Sequence, residues 1–220
     1  MTGTAGELLA AVVAVGSERR FARLTLEDDP FAPRLGGHEE EALSYAFVAG
    51  QTAADETANA YGRDPEAVAA ALGLAVNRDS LEAKAGSSVR LSEYGDRPPE
   101  IVLHMDSLDA AQETIQAHGL ESLLGFSDPQ PAQVAHEIYH HLETKHLTAG
   151  TAGFRLPVLD LGPLHLRRTF PSLSEIAADR FAIALLGLRV PPRAIHFLVV
   201  YQHNPAYAWQ LLDRLRSLPE

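Results

Sequence analysis

Cysteine is absent from the 220-residue chain, which excludes disulfide frameworks, thiolate-held zinc, iron–sulfur clusters and cysteine nucleophiles. Lysine is nearly missing as well: of 18 basic residues only Lys84 and Lys145 are lysine. No apolar run approaches the roughly 18–20 residues of a membrane span, and the best, Leu8 to Val15, stops at Gly16 and a charged cluster. That run also lacks the basic start and cleavage site of a secretory signal, so a cytoplasmic protein without membrane contact is expected. Positive charge is scarce: 29 acids against 18 bases leave a net charge of −11, a poor balance for direct nucleic-acid binding. The sign reverses over residues 161–220, with 7 bases and 4 acids. Those bases are expected to meet the chain's own acidic first half.

The 46% apolar content can fill one core, so one domain, or one domain with an appendage, is expected. Residues 1–62 read as an N-terminal helical segment: Gly6 to Leu24, then Glu39 to Tyr61, with a Pro/Gly-rich link between. Asp64-Pro65-Glu66 opens the main unit, residues 63–220, with an N-cap, a first-turn proline and a first-turn acid. Leu74 to Val76, Ser88 to Tyr94 and Glu100 to His104 read as short strands of a small sheet. Helices resume over Asp106 to His118, from Ser127-Asp128-Pro129 to about Leu147, from Ser172 to Gly187, and after Pro192 and Pro205. Phe154 to Phe170 reads as a connection. The expected class is α+β, dominated by helix.

Chemistry concentrates in Val134-Ala135-His136-Glu137-Ile138-Tyr139-His140-His141-Leu142-Glu143. His136 and His140, four apart, lie about 40° apart on one helix face and can share a metal ion. Imidazole suits Zn2+, and two such ligands leave the ion needing a third. Glu137 is placed to reach water at the metal rather than the metal itself, as a general base. The apolar flanks Val134, Ala135, Ile138 and Leu142 argue that the helix is buried, and buried imidazoles need partners.

Two third ligands compete. His146 stands ten residues after His136, the spacing of metzincins and of three-His zinc endoribonucleases, but those have a helix-breaking Gly where this chain has Glu143. A continuing helix would carry His146 away. Glu175 and Asp179 also lie four apart, on a helix apolar on nearly every side, where two carboxylates require compensation. Glu175 is the expected third ligand, and Asp179 the acceptor that orients His136. The competing reading of Glu175 is a capping box with Ser172.

His-Glu-x-x-His followed by Glu-x-x-x-Asp on a second helix resembles the gluzincin metallopeptidases, and within them the ImmA/IrrE-like family. Asp64-Pro65-Glu66-Ala67, the strand Ile101-Val102-Leu103-His104, and Ala178-Asp179-Arg180-Phe181-Ala182 with Leu185-Leu186 carry the likeness over about residues 64–192. It implies a zincin-like domain over residues 63–220 and a regulatory peptidase that cleaves a narrow protein substrate such as a repressor. Tyr139 stands where gluzincins usually have Gly and could crowd the site. His203-Asn204-Pro205 with Arg214 is similar to HtpX-like and CAAX-prenyl-protease-like gluzincins, which makes a soluble relative of that group an alternative.

The expected activity is zinc-dependent peptide hydrolysis, with His136, His140 and Glu175 on the metal and Glu137 as base. An oxyanion donor is sought among His165, Arg167, His196, Tyr201 and His203; His38, His104 and His118 read as structural. The rival from another class is a catalytically weak metal-binding regulatory module.

Overall fold

Hydroxyl caps start the first two helices: Thr4 accepts from Glu7 N before α1 (Ala5–Val15), and Ser17 accepts from Arg20 N before α2 (Glu18–Glu27). The single helix expected over 6–24 is therefore two. The break falls at Gly16, where the Phe21 ring occupies the space a side chain would need. This computed structural model describes residues 3–80, 90–161 and 164–220, without the side chains of 157–168. After a short 3-10 turn come α3 (Glu39–Tyr61) and α4 (Pro65–Ala71), the latter capped by Asp64 as its sequence predicts.

A three-stranded sheet follows, built from β1 (Ala75–Asp79), β2 (Ser92–Asp96) and β3 (Pro99–His104) in the order β1-β3-β2. Ile101 of β3 stands beside Val76 in a parallel pair and beside Tyr94 in an antiparallel one. Ile101 and Leu103 alternate into the core on one face. The first residues of the strand expected over 88–94 lie outside the described residues, and the observed strand runs two residues further, to Asp96.

The chain then passes through α5 (Met105–Ala117), the single turn α6 (Glu121–Leu124) and α7 (Gln130–Thr144). Where a plain connection was expected there is an antiparallel hairpin, β4 (Leu156–Leu161) with β5 (Leu164–Arg168). The last helices are α8 (Pro171–Leu186), α9 (Ala194–His203) and α10 (Pro205–Ser217). The fold is α+β and helix-dominated. Among the described residues no helix is long and apolar enough to cross a membrane.

α8 is the axis of the packing. Its buried residues span Ser172, Leu173, Ile176 to Asp179, Phe181, Ala182 and Leu185, leaving little outward face. α3 covers one side and α7 another. Contact with α3 is close because small residues meet: Gly50 lies against the Ala177 carbonyl. Residues of the first 62 and of the remainder join one apolar core, from Leu8 to Leu218. Ion pairs link the same parts: Arg180 holds Glu18 at 2.8 Å, and Arg214 meets Glu27 at 3.2 Å and Asp28 at 2.9 Å. Two of the C-terminal bases, Arg180 and Arg214, thus meet the acidic first segment, while Arg193 and Arg216 pair with acids of their own region.

Replacing a mid-helix glycine by alanine ordinarily stabilises by about 1 kcal/mol. At Gly50 the added methyl would overlap the Ala177 carbonyl and force α3 from α8. Gly50→Ala is therefore predicted to destabilise by about 1–3 kcal/mol in chemical denaturation; a gain in stability would contradict this packing.

Candidate metal centre

α7 is buried around most of its circumference, from Ala132 to Tyr139 and again at His141 and Leu142. Four of those buried residues are polar, and all four find partners on other elements. His136 Nδ1 lies 3.0 Å from Asp179 Oδ1 on α8. The Ser92 hydroxyl on β2 donates to Glu137 Oε1 at 2.6 Å. His141 Nδ1 lies 3.1 Å from the Tyr94 hydroxyl, which donates on to Asp96. The fourth, Gln133, has Oε1 at 3.2 Å from Ser92, while its buried Nε2 has no partner among the described residues.

His136, His140 and Glu175 converge. The two Nε2 atoms are 3.2 Å apart; Glu175 Oε2 lies 3.4 Å from His136 Nε2, and Glu175 Oε1 lies 3.4 Å from His140 Nε2. A tetrahedral ion with bonds of about 2.0–2.1 Å needs ligand atoms about 3.3–3.4 Å apart. The donor set therefore fits zinc in kind and in spacing. Asp179, acceptor only, fixes the proton of His136 on Nδ1 and turns Nε2 toward His140 and Glu175. Without a cation, one shared proton must separate two nitrogen lone pairs.

Electrostatics agree. Burial works against a charged His136, yet the carboxylates of Asp179 and Glu175 overcome it and hold that imidazole well above its ordinary pKa. Burial likewise opposes the charge on Glu175, but His136, His140 and Arg193 hold its carboxyl well below the usual range. Asp179 is held low against burial by His136 and Arg193.

The capping box that competed for Glu175 at Ser172 is not formed. Ser172 instead donates through both its backbone N–H, at 3.3 Å, and its hydroxyl, at 2.6 Å, to Asp29 of the N-terminal segment. Glu175 is thereby left to the histidines. His146 takes no part: α7 ends at Thr144, and His146 sits beyond it, exposed, with φ 56°. The chain does turn there, against expectation, but it does not turn toward the metal group.

The cluster floors a cleft of about 830 Å³. Its lining includes Arg90 and Leu91, the β2 residues Ser92 to Tyr94, Arg193, His196 and the apolar Phe31, Phe197 and Val200. Of the expected oxyanion donors whose side chains are described, only His196 lines it. Burial, reinforced by Arg193, pushes His196 down to about 4, so its ring is neutral. Tyr201 is committed elsewhere, donating to Gly3 O at 2.8 Å, and His203 is exposed at the end of α9. The side chains of His165 and Arg167 lie outside the described residues. Tyr139 does not crowd the cleft; its ring packs on Phe181, with centroids 5.9 Å apart. His38 pairs with Glu41 at the surface, His104 precedes α5, and His118 lies against Gly6.

Arg193 escaped the sequence reading. Nη2 lies 3.7 Å from Glu175 Oε2, and Nε lies 3.4 Å from Asp179 Oδ2. A lone arginine within the apolar stretch from Val190 to Val200 was the available signal. Ser92, Asp29 and Ser174 carry no local signal, because each meets its partner across more than thirty residues.

At neutral pH the metal-free site holds a proton on His136 that a dication must displace. Zinc titration by calorimetry, in buffers of different ionisation enthalpy, is predicted to show release of about one proton per ion. An enthalpy independent of the buffer would contradict the assignment. In comparisons with known protein families, characterised proteins and solved structures, the chain matches none.

Proposed function

We propose that the protein is a zinc-dependent peptidase of gluzincin type, with a zincin-like arrangement of sheet, α7 and α8, acting on a narrow protein or peptide substrate. One observation carries the reading: His136, His140 and Glu175 converge within 3.4 Å of one another at the floor of an open cleft, while Glu137 lines that cleft outside the converging group. Three protein ligands with a further position open are the ligand set of catalytic rather than structural zinc.

Zinc bound there would supply Lewis-acid polarisation of the scissile carbonyl and lower the pKa of attacking water. Glu137 moves the proton, accepting it from that water and passing it to the leaving amine. Ser92 holds one oxygen of Glu137, which fixes the carboxylate's direction and leaves the other oxygen for the transfer. His196, neutral, and Arg193 also line the cleft and offer N–H donors to the negative charge that develops on the substrate carbonyl. β2 borders the cleft as an edge strand, and an extended peptide can add to such an edge through main-chain hydrogen bonds.

The rival reading, a metal-binding module without turnover, drew support from a crowding Tyr139. That ring is buried away from the cleft, and a carboxylate aligned by Ser92 has no purpose in mere metal binding.

Glu137→Gln is expected to keep zinc and lose hydrolysis by at least about 100-fold, since an amide cannot accept the proton; a peptide library read by mass spectrometry measures the second effect. Wild-type turnover in that variant would overturn the mechanism. Glu175→Ala should weaken zinc binding strongly and His146→Ala should not, as measured with a competing chelator; the reverse pattern would move the protein to the three-His enzymes.

A further inference from the structure

We propose that Glu143 and Ser174 are positioning residues that hold His140 with its proton on Nδ1 and Nε2 free, an inference that rests on the metal reading above. His140 Nδ1 lies 3.1 Å from Ser174 Oγ. The same hydroxyl makes a short hydrogen bond to Glu143 Oε2. A carboxylate only accepts, so the one proton of Ser174 goes to Glu143 and its oxygen accepts N–H from His140. Three groups in line thereby fix the direction of each hydrogen bond. His136 meets its carboxylate, Asp179, directly; His140 meets its own through a serine. Both imidazoles are oriented by carboxylates, through different routes.

The turn after α7 is built around Glu143. Thr151 donates to Glu143 Oε1 from its hydroxyl, at 2.8 Å, and from its backbone N–H, at 2.5 Å. Gly150 makes this approach possible, since a Cβ there would stand 2.6 Å from Oε1. The left-handed His146 and the loop that follows it bring Thr151 back onto the helix end. Glu143 does not line the cleft, so its influence on the metal site runs through Ser174. The residue that replaces the helix-breaking glycine of three-His enzymes thus supports a histidine ligand from behind.

A merely structural role, tying α7 to α8, would leave the His140 tautomer unchanged when the hydroxyl is removed. The test uses the full chain, with zinc affinity read by a competing chelator and the tautomer of His140 read by long-range nitrogen–proton NMR on metal-free protein. Wild type is expected to show His140 protonated on Nδ1. Ser174→Ala should lose that signature and about 10–100-fold in zinc affinity, and Glu143→Ala should move both readouts in the same direction. Ser174→Thr, which keeps the hydroxyl, should retain both. Zinc affinity of Ser174→Ala within about twofold of wild type, or His140 still protonated on Nδ1 in that variant, would overturn the relay. A wild-type chain that takes up no zinc would instead defeat the metal reading, and the tautomer of the metal-free protein would still decide the relay.

Discussion

Two helices with almost no outward face, α7 and α8, cross at the centre of the protein, and polar groups on each must be satisfied by the other. His136 finds Asp179, His140 finds Ser174, and Glu175 reaches back to both rings. Each contact places a proton or a charge, and together they turn two Nε2 lone pairs and a carboxylate onto one point. Burial makes this arrangement demanding, because an unpaired imidazole or carboxylate at such a depth costs several kcal/mol. A dication at the convergence would satisfy all three donors at once.

The rest of the molecule holds that crossing in register. α3 lies close on α8 through Gly50 and Ala177. Asp29 secures the first turn of α8, three residues before Glu175, and Arg63 donates to the Ala184 and Leu185 carbonyls at its far end, at 2.8 and 3.0 Å. The first 62 residues are therefore more than an appendage: they fasten the start of the helix that carries Glu175 and, through Phe31, line the cleft. On the other side β2 brings Ser92 onto Glu137, so the proposed base is aligned by the sheet while the proposed metal ligands are aligned by helices.

Local signals made the heart of the site legible. Spacing of four on a helix put His136 with His140, and Glu175 with Asp179, on common faces, and apolar flanks foretold the burial of His136 and Asp179. The cap at Asp64 and the stop at Gly187 marked helix ends through short-range hydrogen bonds and backbone freedom. What stayed hidden depends on distant chain. Ser172 carries a capping sequence, but Asp29, 143 residues away, takes its donors. The β4–β5 hairpin was obscured by Pro157 and Pro163, which count against strands when read locally. Nothing local marks the end of α7 before His146, yet the helix stops at Thr144 and the turn serves Glu143. Arg193 was overlooked because a single charge among apolar residues has no periodicity.

The central claim is a metal ion held by one residue pair on α7 and one carboxylate on α8. Anomalous diffraction at the zinc absorption edge from zinc-loaded crystals tests it most directly. The account predicts one strong peak per chain within bonding distance of His136 Nε2, His140 Nε2 and a Glu175 carboxylate oxygen, with no protein atom in the remaining position. A peak ligated by His146, a fourth protein ligand closing the site, or no peak between the two histidines would contradict it.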